Sequence, residues 1–406
     1  MKEPKTKRLW LVSELYFPEL TSTGYYLTEI GSGLARDVEV NVICGQPNYS
    51  ARGTKASKRE RYKEVNIHRV AGTRFNKNIL ALKLLNMLSL GFFFFFKALR
   101  SFKKEDKVLV VTTPPVLPFI TALVSLVRGA SYTLLLHDNY PEMLIAVGKT
   151  RPNSVLARSV EFANRWLYKH AAKIIVVGRD MQSLLVKKTC GLDIPITMIP
   201  NWAEIESVEP RPRESNELLK NLGLMEKFVF LYAGNFGRPN DIESLIAAAD
   251  WLRNENELHF LFLGDGAKGR WLRREVAKLE LSNVTILPPR PRTEQITFLN
   301  ACDVGIVSLV SGMLGVSMPS RTYNLLAAGK PILGIAEPDS EIDLLVKEND
   351  VGWIVPPASP DQLAGTIQAI YADRANLIKM GIRARSAAET QYDLQTALNK
   401  YRKELL

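Results

Sequence analysis

The sequence predicts an α/β protein: two Rossmann-like, doubly wound parallel-sheet domains facing across a cleft. Short runs rich in β-formers alternate with helix-length segments along the whole chain. That alternation breaks once, near residue 200, and then starts again. A length of 406 residues also exceeds what one ordinary core sustains, so two domains of roughly 200 residues each are expected.

The first series of strands falls at residues 8–13, 38–43, 107–112, 132–137 and 173–177, each bounded by Gly, Pro or polar clusters. Helical segments between them imply a parallel sheet covered on both faces. Around residues 199–203 the pattern stops, and 204–220 is acidic, polar and Pro-bearing, as a linker would be. A second series follows at 228–233, 259–263, 284–287, 304–307, 331–334 and 352–355. From about Ala375 the chain is helical and charged. The expected division is 1–200 for the first domain, 201–380 for the second, and 381–406 for a C-terminal helix packing back on the first.

An apolar content of 46% and a charged content of 23% are those of a folded protein rather than a disordered one. Cys44, Cys190 and Cys302 lie far apart without metal-ligand spacing, which fits buried, inert thiols in a reducing compartment. The charged N-terminus, followed by a strand-length apolar run, does not read as a secretion signal, so a cytoplasmic location is expected. Net charge is +11, and residues 1–107 carry 20 Lys and Arg against 10 Asp and Glu. A basic end of this kind suits an anionic lipid surface, a nucleic acid or a phosphorylated substrate. Nucleic acid is set aside, because no recognised module interleaves aromatic and basic residues. Residues 79–96 are long and apolar but interrupted by Lys83, Asn86 and Ser89, with Arg74, Lys77, Lys97, Arg100, Lys103 and Lys104 on the flanks. Docking in the membrane interface, burial in the core and a membrane span all remain open for this segment.

The most informative stretch is 317–331, between two short apolar runs. Pro319 suits a first helical turn, Ser320 offers a hydroxyl cap, and Arg321 adds a planar fork for phosphate oxygens. Residues 323–328 continue the helix to a stop at Gly329. The helix N-terminus favours an anion. After the first strand, Thr23 and Gly24 open a helix beginning near Tyr25, where backbone can approach a pyrophosphate. Asn235 and Arg238 follow the first strand of the second domain beside a Gly turn. The run 264–269 fits G-x-G-x-x-G, but the ribose-reading acid of a dinucleotide site is missing, so NAD is not expected. Asp265, beside Gly266, is expected to cap a helix or to lie near a nucleotide. His137 and Asp138 end a cleft-facing strand, where they could hold a sugar or hydroxyl. No acids or histidines have metal-ligand spacing, so no metal site is assigned.

Several of these residues recur in a familiar order: Pro18-Glu-Leu-Thr up to Gly24, His137-Asp up to Pro141, Ile199-Pro-Asn201, Tyr232-Ala-Gly-Asn235, Leu263-Gly-Asp-Gly266, and Met318-Pro-Ser-Arg through Pro331. The chain resembles the GT-B retaining glycosyltransferases of family 4, in particular the colanic-acid and O-antigen type, essentially from end to end. The resemblance implies that the second domain binds a nucleoside-diphosphate sugar, with UDP favoured over GDP, and that the first binds a lipid-linked or oligosaccharide acceptor. It places Gly24 near the donor phosphate, His137 at the sugar and Arg321 at the Lys/Arg position after Pro-Ser. His137, Asp138 and Arg321 are the implied catalytic residues, with no cofactor and no metal. Two positions depart from the pattern. A ribose-binding glutamate falls on Asn324, which keeps only a neutral amide for that contact, and the donor-loop lysine falls on Asn240. The expected activity is transfer of a hexosyl or N-acetylhexosaminyl unit in surface-polysaccharide synthesis, peripheral on the inner membrane face. A sugar-nucleotide 2-epimerase and a non-catalytic nucleotide-sugar-binding protein are the alternatives.

Overall fold

The computed structural model describes residues 8–47, 55–73, 75 and 80–406. Arg74, Lys77 and the first residue of the 79–96 segment, like the charged N-terminal heptapeptide, lie outside the described residues. The first domain contains β1 (Arg8–Val12), α1 (Ser22–Leu34), β2 (Glu39–Cys44), β3 (Arg59–Tyr62), β4 (Val65–Arg69), α2 (Leu80–Ser101), β5 (Lys107–Val111) and α3 (Val116–Arg128). It continues through β6 (Ser131–Leu136), α4 (Glu142–Ala146), α5 (Val155–His170), β7 (Lys173–Val176), α6 (Arg179–Lys188) and β8 (Ile196–Met198). Its eight strands order as β3-β4-β2-β1-β5-β6-β7-β8, parallel except for the β3–β4 hairpin. The inner strands are buried on both faces and are therefore mostly apolar, as β6 shows with Tyr132 to Leu136 all buried.

The second domain starts with α7 (Glu217–Leu222) and β9 (Phe228–Ala233), then α8 (Ile242–Trp251), β10 (Leu258–Leu263), α9 (Gly269–Lys278), β11 (Val284–Leu287) and α10 (Gln295–Leu299). It goes on with β12 (Val304–Ser308), α11 (Arg321–Ala327), β13 (Ile332–Ile335), α12 (Glu341–Asn349), β14 (Gly352–Val355), α13 (Pro360–Ala372) and α14 (Leu377–Thr390). Its six strands order as β11-β10-β9-β12-β13-β14, all parallel, with the order reversing beside β9. That reversal is the switch point at which such sheets bind ligands beyond their strand ends.

Helix α15 (Leu394–Leu405) returns to the first domain. Asp393 caps it, Arg402 pairs with Asp37 at 2.6 Å and Glu404 pairs with Lys173. The two domains are also tied by Arg179, which donates to Glu341 through its backbone and its guanidinium.

Helix α2 settles two of the three readings of residues 79–96. Leu90, Phe94 and Ala98 face the core, whereas Phe92 is 58% exposed, so the helix is not wholly buried. The spacing of four residues gives it one inner and one outer stripe. Among the described residues, no helix is long and apolar enough to cross a membrane. The expectation of three buried thiols needs one correction. Cys44 and Cys302 are buried and desolvation pushes both thiols up to about 12, but Cys190 is exposed.

Candidate functional site

The C-terminal edges of the two sheets meet, and three segments cross the gap. The loop after β1 folds back on the start of α1, where Thr21 Oγ1 accepts from the Gly24 amide at 3.4 Å. The helix thus opens at Ser22 rather than near Tyr25, because Thr21 takes the cap. Gly24 is required there by space, since a Cβ would lie 2.4 Å from the carbonyl oxygen of Glu19. Thr23 sits half-buried in the same first turn.

Opposite stands the start of α11. Ser320 does not cap it as the sequence suggested, because its backbone is already helical (φ −66°, ψ −20°) and no side-chain cap bond forms. Its hydroxyl instead accepts from Ser22 Oγ at 2.8 Å, joining the two helix N-termini across the cleft. Pro319 precedes it and its carbonyl accepts from Thr322 Oγ1 at 2.8 Å. Arg321 lies over the Tyr232 ring, 4.5 Å from its centroid. The same guanidinium presses on Gly234, where a Cβ would come within 2.6 Å of it. One of its nitrogens, Nη1, is buried without a hydrogen-bond partner. A buried guanidinium N–H with no acceptor is costly, and an anionic ligand would satisfy it.

The third segment ends β6. Asn139 donates its backbone amide to Val316 O at 2.8 Å and its side-chain amide to Gly315 O at 2.7 Å. Asp138 forms a β-bridge with Ser317. His137 and Asp138 are thereby held beside the 317–321 turn. Desolvation pushes the His137 imidazole down to about 4 and the Asp138 carboxyl up to about 6. His137 is therefore a neutral hydrogen-bonding group near neutral pH.

The remaining candidates gather on the loops after β9 and β10. Asn235 accepts through its carbonyl from Tyr232 Oη at 2.9 Å, and Gly266 packs so closely that a Cβ would meet Asn235 Oδ1 at 2.3 Å. Arg238 is exposed on the loop after β9. Asp265 is exposed and pairs with Arg273 at 3.4 Å; it caps no helix, because α9 begins at Gly269 behind Lys268.

Asn324 differs most from its expected role. Its side-chain nitrogen donates to Glu204 Oε1 at 2.5 Å and Gln295 Oε1 at 2.6 Å, while its Oδ1 accepts from the Glu204 amide at 3.0 Å. No amide hydrogen is left for a ribose hydroxyl. Glu204 itself is held by Arg292 at 2.5 Å, and Arg292 stacks 3.8 Å over Tyr25. A carboxylate from the linker thus stands where the sequence lacks a glutamate. Similarly, Lys268 Nζ reaches Asn240 O at 2.6 Å, bringing a cation beside the position where the donor-loop lysine is absent, although Glu243 shares it at 2.6 Å. Neither Glu204 nor Lys268 was visible in sequence, since both come from segments remote from the motifs they complete.

Two doubly wound sheets closing on a guanidinium between helix N-termini define a two-domain, GT-B-type enzyme. Residues 22–202 match the family model described as a glycosyl transferase 4-like domain, and residues 214–387 match that of glycosyl transferases group 1. The probable glycosyltransferase WbjE of Pseudomonas aeruginosa is 30% identical over 394 residues, 97% of this chain and 96% of that protein. The putative colanic acid biosynthesis glycosyl transferase WcaI of Escherichia coli (strain K12) is 26% identical over 405 residues, 95% of this chain and 96% of that one. Among solved structures, sucrose-phosphate synthase (tll1590) from Thermosynechococcus elongatus superposes with a TM-score of 0.78 at 16% identity, covering 98% of both chains. Anabaena Alr3699/HepE in complex with UDP-glucose gives 0.71 at 15%, covering 98% of this chain and 99% of that one. The chain belongs to the group 1 and 4-like glycosyltransferases, and its fold is GT-B.

Proposed function

We propose that the protein is a retaining, metal-independent glycosyltransferase of surface-polysaccharide synthesis, of the colanic-acid and O-antigen type. Its donor is a UDP-linked hexose or N-acetylhexosamine, and its acceptor a lipid-linked saccharide at an anionic membrane surface on the cytoplasmic side. The observation that carries the donor reading is Arg321, whose buried Nη1 lacks a partner where the two helix N-termini converge. HepE, crystallised with UDP-glucose, and WcaI, named for colanic acid, support the same reading.

In this mechanism Arg321, Arg238 and the backbone amides near Gly24 stabilise charge on the departing diphosphate. The acceptor oxygen bonds to the anomeric carbon on the face the diphosphate leaves. The anomeric C–O bond to the diphosphate breaks, and the hydroxyl proton passes to the diphosphate oxygen. His137, neutral in its desolvated setting, hydrogen-bonds the transferred sugar, and Asp138 orients the acceptor. The basic, Phe-rich helix α2 supports membrane docking.

The deciding measurement is calorimetry of the full chain against UDP- and GDP-sugars, followed by nucleotide release in membrane extract. Saturable UDP-sugar binding with acceptor-dependent UDP release is expected. Binding of neither nucleotide sugar would falsify the donor reading. Flotation with anionic vesicles at low salt tests docking, and protein left at the bottom of the gradient would remove it.

A further inference from the structure

The edge of the first sheet carries a hollow of about 320 Å³, formed by β2, β4 and the edge strand β3. The strand register turns one set of side chains toward it: Asn41 beside Asn66 beside Arg61, and His68 beside Arg59. Trp10 shares this face, since it pairs with Asn41, and its ring lies 5.8 Å from His68 and 5.6 Å from Phe102, just past the end of α2. Helix α1 covers the opposite face, where Gly31 packs on Leu11. The hollow is therefore on the other side of the sheet from the helix that carries Gly24. Three carboxylates of this edge are already engaged. Glu39 accepts from Asn41 at 3.0 Å, Glu64 pairs with Arg61, and Glu60 holds Arg69 at 2.5 Å on the α1 side.

Two cations and an imidazole converge there. Arg59 is exposed on the edge strand, and Lys97 is half-buried on α2. Burial, then Lys97 and Arg59, push the His68 imidazole down to about 4, and burial together with Arg59 lowers Lys97 as well. Among the described residues no carboxylate offsets either effect. Like charges gathered in this way favour an anion between them. His68 Nδ1 is also buried without a hydrogen-bond partner, a cost that a polar ligand would relieve. Along α2, Phe93 precedes Lys97 by one turn and Arg100 follows it by one, so all three share a flank. Phe93 is 42% exposed, and Arg100 lies 5.9 Å from the ring of exposed Phe96. The cationic hollow thus borders the apolar stripe of α2.

We infer that this hollow is a discrete binding site for the phosphate of an anionic lipid headgroup, remote from both substrates of the transfer. The Arg59 guanidinium and the Lys97 ammonium donate charge-assisted hydrogen bonds to the phosphate oxygens, and the acyl chains of the same lipid lie against Phe93 and Phe96. A free phosphate would meet the same cations, but only a lipid also uses the apolar flank beside them. The inference rests on the docking reading above and adds a site of fixed position to what diffuse charge alone would supply.

Titration calorimetry of the full chain tests it, with dihexanoyl phosphatidic acid below its micelle concentration and inorganic phosphate as the probe without chains. Saturable phosphatidic acid binding is expected, at least about tenfold tighter than inorganic phosphate. Arg59→Gln and Lys97→Gln should each weaken it by about tenfold, whereas Lys104→Gln, which removes the same charge from an exposed position just past α2, should change it by less than about twofold. If Lys97→Gln lowers the melting temperature, Arg59→Gln, on the exposed edge strand, carries the comparison with Lys104→Gln. An equal loss from Lys104→Gln reveals diffuse attraction and overturns the inference, as does inorganic phosphate binding as tightly as the lipid. Absent phosphatidic acid binding with intact flotation on anionic vesicles removes the site alone, whereas absent flotation removes the docking reading on which it rests.

Discussion

The two sheets present the same kind of edge and use it oppositely. In the second domain, loops after β9 and β10 pack glycine against glycine and carry Arg238 and Lys268, and the start of α11 brings Arg321 to the same strand ends. In the first, the equivalent loops leave a cavity lined by carboxylates, amide oxygens and apolar walls, with no Lys or Arg among the described residues that line it. One edge gathers guanidinium and ammonium groups, the other acceptor oxygens and apolar walls. A shared topology fixes where ligands go, and loop chemistry fixes which ligand.

The sharpest break of this comparison lies inside α2, whose inner stripe belongs to the core. Phe94→Ala should cost about 3–5 kcal/mol in denaturant unfolding, since Phe94 is 0% exposed. On the donor side, Glu204→Ala leaves Arg292 partly buried beside Asn324 without its carboxylate. A loss of about 3 kcal/mol is expected in the same measurement, and a change under about 0.5 kcal/mol would show the network to be incidental. Arg321→Ala should lower turnover by about a hundredfold, the scale of removing one transition-state donor, and weaken UDP by about tenfold. Rates within about twofold of the unmodified enzyme would move the anion site elsewhere.

Acid titration separates His137 from Asp138. Asp138 keeps its proton to about 6 when folded but loses it near 3.8 when unfolded, so stability falls as pH rises through that window. Above it the ionised carboxylate costs about 3 kcal/mol, and Asp138→Asn should raise the melting temperature at pH 7.5 but not at pH 3.5. His137 has the opposite sign. The unfolded chain takes up a proton near 6.5 and the folded one only near 4, so stability is lost as pH falls between those values. His137→Gln should flatten that fall. The smallest effect on stability belongs to the outer stripe of α2, where Phe92→Ser should change unfolding by less than about 0.5 kcal/mol. The same variant should nevertheless reduce vesicle flotation, and unchanged flotation would detach the Phe stripe from docking.

Every strand of the second domain was legible because parallel strands buried on both faces are continuous apolar runs set off by Gly, Pro and polar turns. In the first domain β3 and β4 were missed. Arg59–Tyr62 reads as a charged loop, and only its edge position in the sheet makes it a strand. Strand β8 has three residues, too few for a pattern. Near the cleft, the positions of Gly24, His137, Asp138 and Arg321 follow from local backbone and strand ends. Glu204, Lys268 and Asn139 were not, because each acts on a partner distant in sequence.

The sequence by itself therefore determined two α/β domains, a cleft and the candidates for an anion site, since periodicity, turns and helix starts are local properties of the chain. Only the tertiary structure decided that Asn324 binds Glu204 rather than facing a ligand, that Ser320 bridges to Ser22, and that α2 has an exposed aromatic face. Those outcomes depend on which groups remain unpaired when remote segments pack together, a competition that no window of sequence contains.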